Sequence, residues 1–355
     1  MVAYMPSGIV NLNKASEIQK ENLFSSRDIE NISNDENIYL IQLFRMPFEE
    51  EVVLLNEVFM RYPKMKLQIW HDVKDLGFLQ SLPSVTYLSI HNNGVLNNIE
   101  TLITLTNLEV VRLNLSEQMD YSFIKELPQT LKKIELQFPN KKVNFDYQWL
   151  ERFAQLELLS VQGRKKDIEQ VGTLKQINAL ILQGITVPHY DFINHLSQLD
   201  TLSIRLGASH NFDALKMNTT IKNLEFWCVS RLSDLDFIKS MSTVESLYLQ
   251  ELRNVNYLPN LSGMVNLRTL GLNGMNGLVD ISGIERASAL KKFVCVSNKN
   301  IDIGIYLPVF ENKAIVSVYM SQFTQKNLMK YKQLHSEHQK QEAPKPYMPK
   351  WIIDF

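Results

Sequence analysis

The chain has 355 residues, 45% hydrophobic and 21% charged, and its 37 basic and 38 acidic residues give a formal net charge of -1. This balance argues against nucleic acid as the main ligand, because binding phosphates requires a basic surface that releases counterions. The first residues show no secretory signal, and no stretch reaches the roughly 18 apolar residues of a membrane helix. With only Cys228 and Cys295, and no CxxC pair, the composition favours the reducing cytosol.

The first 63 residues are predicted to form an N-terminal cap. Residues 1–37 are polar, and a short strand is predicted at 8–12 and a helix at 14–24. A strand is predicted from Tyr39 to Phe44, followed by an amphipathic helix from Phe48 to Tyr62 with three glutamates in its first turn. The apolar residues at helical spacing in that helix are Val52, Val53, Leu55, Val58 and Phe59.

From residue 64 to residue 321 a short pattern recurs every 21 to 25 residues. Each unit carries two inward apolar residues separated by one outward residue, as in a strand, followed by apolar residues at turn or helix spacing. Such a unit cannot bury a core alone, so the recurrence predicts a stack of repeats. The strand pairs start at Leu67, Leu88, Val111, Ile134, Leu159, Leu180, Leu202, Leu224, Leu247, Leu270, Phe293 and Val318.

This pattern resembles the leucine-rich repeat family, and it is most similar to the bacterial internalin-like class of short repeats. The segments Leu232-Ser-Asp-Leu-Asp-Phe-Ile238 and Leu278-Val-Asp-Ile-Ser-Gly-Ile284 carry its signature most closely. The resemblance implies an α/β fold, a leucine-rich repeat solenoid or horseshoe. Its parallel β-sheet would line the concave face, with short helices or turns on the convex face.

The sequence departs from the family where an asparagine commonly closes a ladder of buried hydrogen bonds, three residues after the strand pair. We therefore expect this ladder to be broken in several repeats. The residues at that place are Asp72, Asn93, Ser116, Pro139, Val229, Leu252, Met275 and Asn298.

Residues 322–355 are predicted to form a C-terminal capping helix and a Pro-rich, aromatic tail. Phe323, Leu328, Tyr331 and Leu334 indicate an otherwise polar helix that ends near residue 341. Three prolines then keep the tail from continuing as a helix. The apolar end, residues 351–355, either folds back onto the cap or serves as a docking motif for another protein.

No catalytic motif is present: the chain lacks GxxxxGK[ST], GxGxxG, HExxH and GxSxG. His335 and His338 have the spacing of a metal pair, but a solvated helix face is the favoured interpretation because no third ligand is near in sequence. Some proteins that resemble this one carry a ubiquitin ligase domain with a catalytic cysteine, whereas both cysteines here lie within the repeats. We therefore expect a non-catalytic protein without a cofactor or a metal.

The predicted concave face carries few charges, and its amide side chains alternate with aromatic and arginine residues. Tyrosine, tryptophan and arginine contribute most of the binding energy at many protein interfaces. The best candidate cluster is formed by Arg205, Glu225, Trp227 and Tyr248 on three adjacent strands; the alternative is a strand end covered by Trp227 and a solvated Arg205–Glu225 pair. The candidate partner-binding residues are Tyr87, His91, Arg112, Glu135, Arg205, Glu225, Trp227 and Tyr248.

About a dozen strands spaced roughly 4.8 Å apart would give an inner arc of about 55 to 60 Å, enough for a small partner domain. We therefore expect a cytoplasmic, bacterial protein-binding scaffold, in one form an inhibitor or immunity-type protein that blocks a toxin or enzyme. The alternatives are a secreted or injected effector or adhesin that displays the repeats to host proteins, and an enzyme that uses the concave face. The oligomeric state does not follow from the sequence.

Overall fold

The computed structural model describes residues 2–5, 9–12, 25–26, 30, 38–139, 142–296, 303–321 and 324–343, with the backbone alone at 2–5 and 9–12. The helix expected at 14–24, Asn298, Phe323 and the tail from 344 lie outside the described residues. The chain divides into two compact units, Met1–Asp167 (unit 1) and Ile168–Phe355 (unit 2). The division falls inside the predicted repeat array, and the domain boundaries at 63/64 and 321/322 stay predictions.

Unit 1 contains one sheet in which the first strand is antiparallel to the second, and each strand from the second onward is parallel to the next. A helix, α1 (Glu49–Arg61), follows β3, and 3-10 helices take its place in the later repeats: Gly77–Ser81, Ile99–Thr104, Ser122–Glu126 and Tyr147–Arg152. The strands are β1 (Val2–Met5), β2 (Ile9–Leu12), β3 (Leu40–Leu43), β4 (Lys66–Ile69), β5 (Tyr87–Asn92), β6 (Val110–Leu115), β7 (Lys133–Gln137) and β8 (Leu158–Gln162).

In unit 2 each strand is likewise parallel to the next. The strands are β9 (Ala179–Gln183), β10 (Thr201–Arg205), β11 (Asn223–Trp227), β12 (Ser246–Gln250), β13 (Thr269–Asn273), β14 (Lys292–Val296), β15 (Ser317–Ser321) and β16 (Gln341–Glu342). The connecting 3-10 helices are Ile168–Thr173, Asp191–His195, Asp213–Met217, Asp236–Ser240, Leu261–Gly263, Ser282–Ile284 and Ile303–Tyr306. Two α-helices, α2 (Leu307–Glu311) and α3 (Gln325–Glu337), stand at its end.

The strands form because two apolar residues of each repeat point to the same side, where the 3-10 helices cover them. Leu224 and Phe226 in β11 are both 0% exposed, as are Leu202 and Ile204 in β10. The apolar residues of the 3-10 helices complete the layer beneath the sheet, among them Ile238 and Leu215. Each strand pair predicted from the sequence coincides with an observed strand.

A buried ion pair holds the start of α1. The Arg45 guanidinium donates to both carboxylate oxygens of Glu51, each at 2.6 Å, and the two residues are 5% and 1% exposed. Glu51 also accepts the N–H of Phe48 at 2.9 Å, which satisfies a donor at the helix N-terminus. The prediction that Val53 lies on the buried side of this helix is wrong, because its side chain is 69% exposed.

Acidic or amide side chains start several of the 3-10 helices. Asp75, Asp120, Asp234 and Asp280 each accept the backbone N–H of the residue two positions ahead, at 2.7 to 2.9 Å. These Asx turns satisfy a backbone donor that a short helix leaves unpaired. They explain the aspartates Asp234 and Asp280 in the two segments that carry the repeat signature most closely.

Unit 1 differs from the sequence prediction where its strands end. The period-two alternation continues past the strand pair, so Asn92, Leu115 and Phe138 point inward two residues after it. Asn92 is 1% exposed and donates to the carbonyl oxygen of Val73 at 3.1 Å. The expectation that Asn93 stands at the ladder position is therefore wrong, and the exposed Asp72 does not hold that place either.

In unit 2 the chain turns sharply directly after each of five strands. The residue there has a left-handed backbone, with φ between 52° and 64°, in Gly184, Leu206, Cys228, Glu251 and Gly274. This conformation turns the following residue inward, so the place three after the strand pair is buried, for example at Val229, Leu252 and Met275. The inward apolar residues replace the asparagine ladder there.

Replacing Leu206 with glycine should raise the free energy of unfolding by about 0.5–1 kcal/mol, because a left-handed backbone costs a residue with a Cβ about 1–2 kcal/mol. Leu206 is 45% exposed, so the loss of its side-chain contacts offsets only part of this gain. The matched control is Gly184→Ala, where the nearest atom to the added Cβ is 4.0 Å away and the backbone strain alone should lower stability. Urea unfolding of both variants measures the effect, and a destabilised Leu206→Gly would contradict it.

The C-terminal cap is held by α3 and the segment that follows it. Tyr331 and Leu334 are buried, and the Lys340 ammonium donates to the carbonyl oxygens of Asn312 and Ile315 at 2.9 and 2.8 Å. Burial lowers the pKa of Lys340. In the described part of the chain, no helix combines the length and the apolar character needed to span a bilayer.

Candidate partner-binding face

In the strands from β3 to β15, the side chains at the first, third and, where present, fifth positions form one surface in each unit, here called the sheet face. The register places the predicted site residues in two groups, one in each unit. Tyr87, Ser89 and His91 lie on β5. Arg112, on β6, lies opposite Ser89, and Glu135, on β7, lies opposite Arg112. This group is the unit 1 patch.

An arginine holds the unit 1 patch together. Arg112 donates to both carboxylate oxygens of Glu135, at 2.9 and 3.2 Å, and to the Tyr87 hydroxyl at 3.3 Å. The side chains of Arg112 and Glu135 are 29% and 24% exposed, so a partner can contact the pair. Lys66 adds a second cation, with its ammonium 4.7 Å from the centre of the Tyr87 ring.

Phe44 and Trp70, which the sequence analysis did not identify, extend this patch from His91 as a row of three aromatic rings. Phe44 stacks on Trp70 with ring centres 5.7 Å apart, and Trp70 stacks on His91 at 4.8 Å. These separations are close to the spacing of neighbouring strands, so the stack runs from strand to strand. Aligning the fifth strand position across the repeats would have revealed this row.

The pKa of His91 is lowered, first by burial and then by the positive charge of Arg112, with a further contribution from His71. Its imidazole stacks on Trp70 and lies 3.0 Å from the Ser89 hydroxyl. The folded state therefore favours the neutral ring more strongly than the unfolded state does, although the negative charge of Glu135 acts in the opposite direction.

The stability that neutral His91 contributes should be fully present above pH 6.5, the ordinary histidine pKa, and be lost as the pH falls through the lower pKa of the folded state. The wild-type protein should thus lose more stability between pH 7.5 and 5.5 than His91→Gln does. Urea midpoints at both pH values measure this difference. His189→Gln, at an exposed position, controls for the loss of one histidine, and equal slopes for wild type and His91→Gln would contradict the prediction.

The unit 2 patch consists of Ser203, Arg205, Glu225, Trp227 and Tyr248. The strand register places Ser203 opposite Glu225 and Arg205 opposite Trp227, with Tyr248 opposite Glu225 on the next strand. The predicted cluster on three adjacent strands is therefore present in the structure. Its role in binding stays a prediction.

Glu225 lies at the bottom of the patch and is 3% exposed. Its carboxylate accepts from the Ser203 hydroxyl and from Arg205 Nε, the latter at 2.8 Å, and Arg205 Nε also lies 2.8 Å from the Ser203 oxygen. The interpretation of this pair as solvated is wrong, because the Arg205 and Glu225 side chains are 12% and 4% exposed. Side chains on adjacent strands cover the carboxylate.

Two aromatic side chains border this ion pair. The Trp227 ring centre lies 5.7 Å from the Arg205 guanidinium carbon. The Tyr248 ring lies over the backbone of Gly271, where an added Cβ would come within 2.4 Å of it. Burial and then the negative charge of Glu225 raise the pKa of the Tyr248 hydroxyl, so it is a neutral donor at physiological pH.

Two donors of the unit 2 patch lack an acceptor. Arg205 Nη2 and Trp227 Nε1 are both buried and have no hydrogen-bond partner among the described residues. Such donors cost about 1–3 kcal/mol each when they remain unsatisfied. The two residues are direct neighbours in the register of β10 and β11.

Cys295 and His335, which the sequence analysis considered for catalysis and metal binding, both pack against other residues of the fold. Cys295 is 2% exposed, and burial raises the pKa of its thiol to about 12. His335 is not on a solvated face as predicted: its ring packs 4.5 Å from that of Tyr331, and its Nδ1 lies 3.1 Å from the Lys340 carbonyl oxygen. Within the residues that the structure describes, no three His, Cys, Asp or Glu side chains are grouped to hold a metal ion.

No protein-family model matches the sequence. No curated protein matches it either. Among solved structures, an internalin of Listeria monocytogenes superposes with a TM-score of 0.51 at 17% identity, over 81% of this chain and 82% of that one. Others are a leucine-rich repeat protein of Leptospira interrogans (TM-score 0.46, 15% identity, 91% and 93% covered) and an internalin C2 of Listeria monocytogenes (0.42, 20%, 55% and 83%).

The likeness to the first internalin agrees with the recurrence of the strand pairs in the sequence. It also agrees with the parallel strands joined by 3-10 helices in each unit. At this level of identity the likeness concerns the fold. The chain therefore has a leucine-rich repeat fold, similar to that of the Listeria internalin.

Proposed function

We propose that this chain is a non-catalytic scaffold that binds a folded domain of a partner protein through its sheet face. The observation that carries the proposal is the unit 2 patch, where Trp227, Tyr248 and Arg205 stand together on adjacent strands. These three residue types dominate the binding energy at many protein interfaces. The partly exposed ion pair of Arg112 and Glu135 supplies a second contact region in unit 1.

The scaffold acts in the cytoplasm as an inhibitor or immunity-type protein that covers the surface of a toxin or enzyme. Two features support this form of the proposal: the repeats occupy most of the sequence, and the sheet-face residues offer contacts without any catalytic motif. The rival function is an effector or adhesin that displays the same surface to host proteins. Recovery of the native protein from the culture medium would favour the rival.

Alanine variants of Trp227 and Tyr248 should each weaken partner binding by about 30-fold or more, equivalent to about 2 kcal/mol. Affinity purification of the full chain from its native cell identifies the partner, and titration with the purified partner measures the loss. Trp149→Ala and Tyr257→Ala are matched controls, since both residues lie outside the strands. A partner that binds both site variants as tightly as wild type would place the binding surface elsewhere.

A further inference from the structure

The charge balance of the unit 2 patch restricts which groups it can recognise. Across the sheet face of β9 to β13, the charged side chains are Arg205 and Glu225, and these two residues neutralise each other. An incoming carboxylate or phosphate would therefore meet no net positive charge. It would also approach the buried carboxylate of Glu225, which repels it across a poorly solvated site.

The patch nevertheless has more hydrogen-bond donors than acceptors to pair with them. Arg205 Nη2 and Trp227 Nε1 need acceptors, and the described residues around them supply none. An acceptor that carries no charge satisfies both requirements, because it pairs with the donors without adding an anion beside Glu225. Main-chain carbonyl and side-chain amide oxygens are the uncharged acceptors that proteins present most often.

We infer that the unit 2 patch recognises an uncharged carbonyl oxygen of the partner protein, from its main chain or an amide side chain, and discriminates against carboxylate and phosphate groups. This inference rests on the proposed function and adds the chemistry of the recognised group. Tyr248, on the strand next to Trp227, offers apolar surface for the atoms adjoining that carbonyl.

The donors are covered in the free protein, although the side chains that carry them are partly exposed. The carbonyl reaches them when the Trp227 indole rotates away from the Arg205 guanidinium, which lies 5.7 Å from its ring centre. Pairing two buried donors with an acceptor removes the penalty of leaving them unsatisfied, and this gain opposes the cost of moving one side chain. The acceptor thus favours the rearrangement.

The test uses nuclear magnetic resonance of the full chain labelled with ¹⁵N, followed at the indole N–H signal that disappears in Trp227→Phe. The probes are N-methylacetamide, a neutral carbonyl compound, and sodium acetate, an anion of similar size, at equal ionic strength. We expect a saturable shift of the Trp227 signal with the amide and at least tenfold weaker binding of acetate. Binding of acetate as tight as that of the amide, or no saturable shift with the amide, would overturn the inference.

The variant Glu225→Gln should reverse this preference, since it leaves the Arg205 charge uncompensated. Acetate should then bind at least as tightly as the amide; an unchanged preference in a folded variant counts against the charge argument. The primary comparison is made on the unmodified chain, so a folding defect in the variant does not affect it. A shift with the amide but no captured partner would refute the proposed function alone, whereas a captured partner with a preference for acetate would refute only the inference.

Discussion

Glu51→Ala should lower the free energy of unfolding by about 3–5 kcal/mol, the usual cost of removing one partner from a buried ion pair. The Arg45 guanidinium is 5% exposed and donates twice to Glu51, so its charge would remain buried without its partner. The Phe48 N–H at the start of α1 would also lose its acceptor. Urea unfolding followed by far-ultraviolet circular dichroism measures the loss.

An exposed pair on the same helix provides the control. The side chains of Arg61 and Glu57 form a salt bridge while 55% and 37% exposed, and Glu57→Ala should change stability by no more than about 0.5 kcal/mol. The double variant Arg45→Met, Glu51→Met should recover most of the lost stability, because no charge is left buried. A double variant as unstable as Glu51→Ala would show that the pair acts through something other than charge burial.

The sequence predicted the strands because their signal is local and repeated. Leu224 and Leu247 are buried because inward and outward side chains alternate along each strand, and the sequence of every single repeat shows this alternation. The same alternation placed Arg205, Glu225, Trp227 and Tyr248 on one face of adjacent strands. Sequence reasoning was therefore sufficient for the strands and for placing these four residues together, whereas Ser203, Phe44 and Trp70 were not among the predicted residues.

The features that the sequence did not predict are of two kinds. Some depend on contacts between repeats, and others on a left-handed backbone at residues other than glycine. Leu206, Cys228 and Glu251 have left-handed backbones although none of these residue types favours them, so the inward shift at Val229 and Leu252 had no local marker. The burial of Glu225 was missed for another reason. Its accessibility is decided by side chains about twenty residues away in sequence, chiefly Arg205 and Tyr248.

Glu225→Ala should destabilise unit 2 by about 3 kcal/mol, because the Arg205 guanidinium, whose side chain is 12% exposed, would lose the carboxylate that neutralises it. Ser203, which is 0% exposed, would lose its acceptor as well. This variant would weaken partner binding and the fold together. By itself it cannot separate recognition from stability.

The double variant Arg205→Met, Glu225→Met separates the two effects. Two methionines of similar volume leave no buried charge, so the urea midpoint should return close to the wild-type value. Partner binding should still fall by about 30-fold or more, since the guanidinium that we propose contacts the partner is gone. Recovery of both stability and affinity would mean that Arg205 and Glu225 hold the sheet together without contacting the partner, and that Trp227 and Tyr248 account for recognition alone.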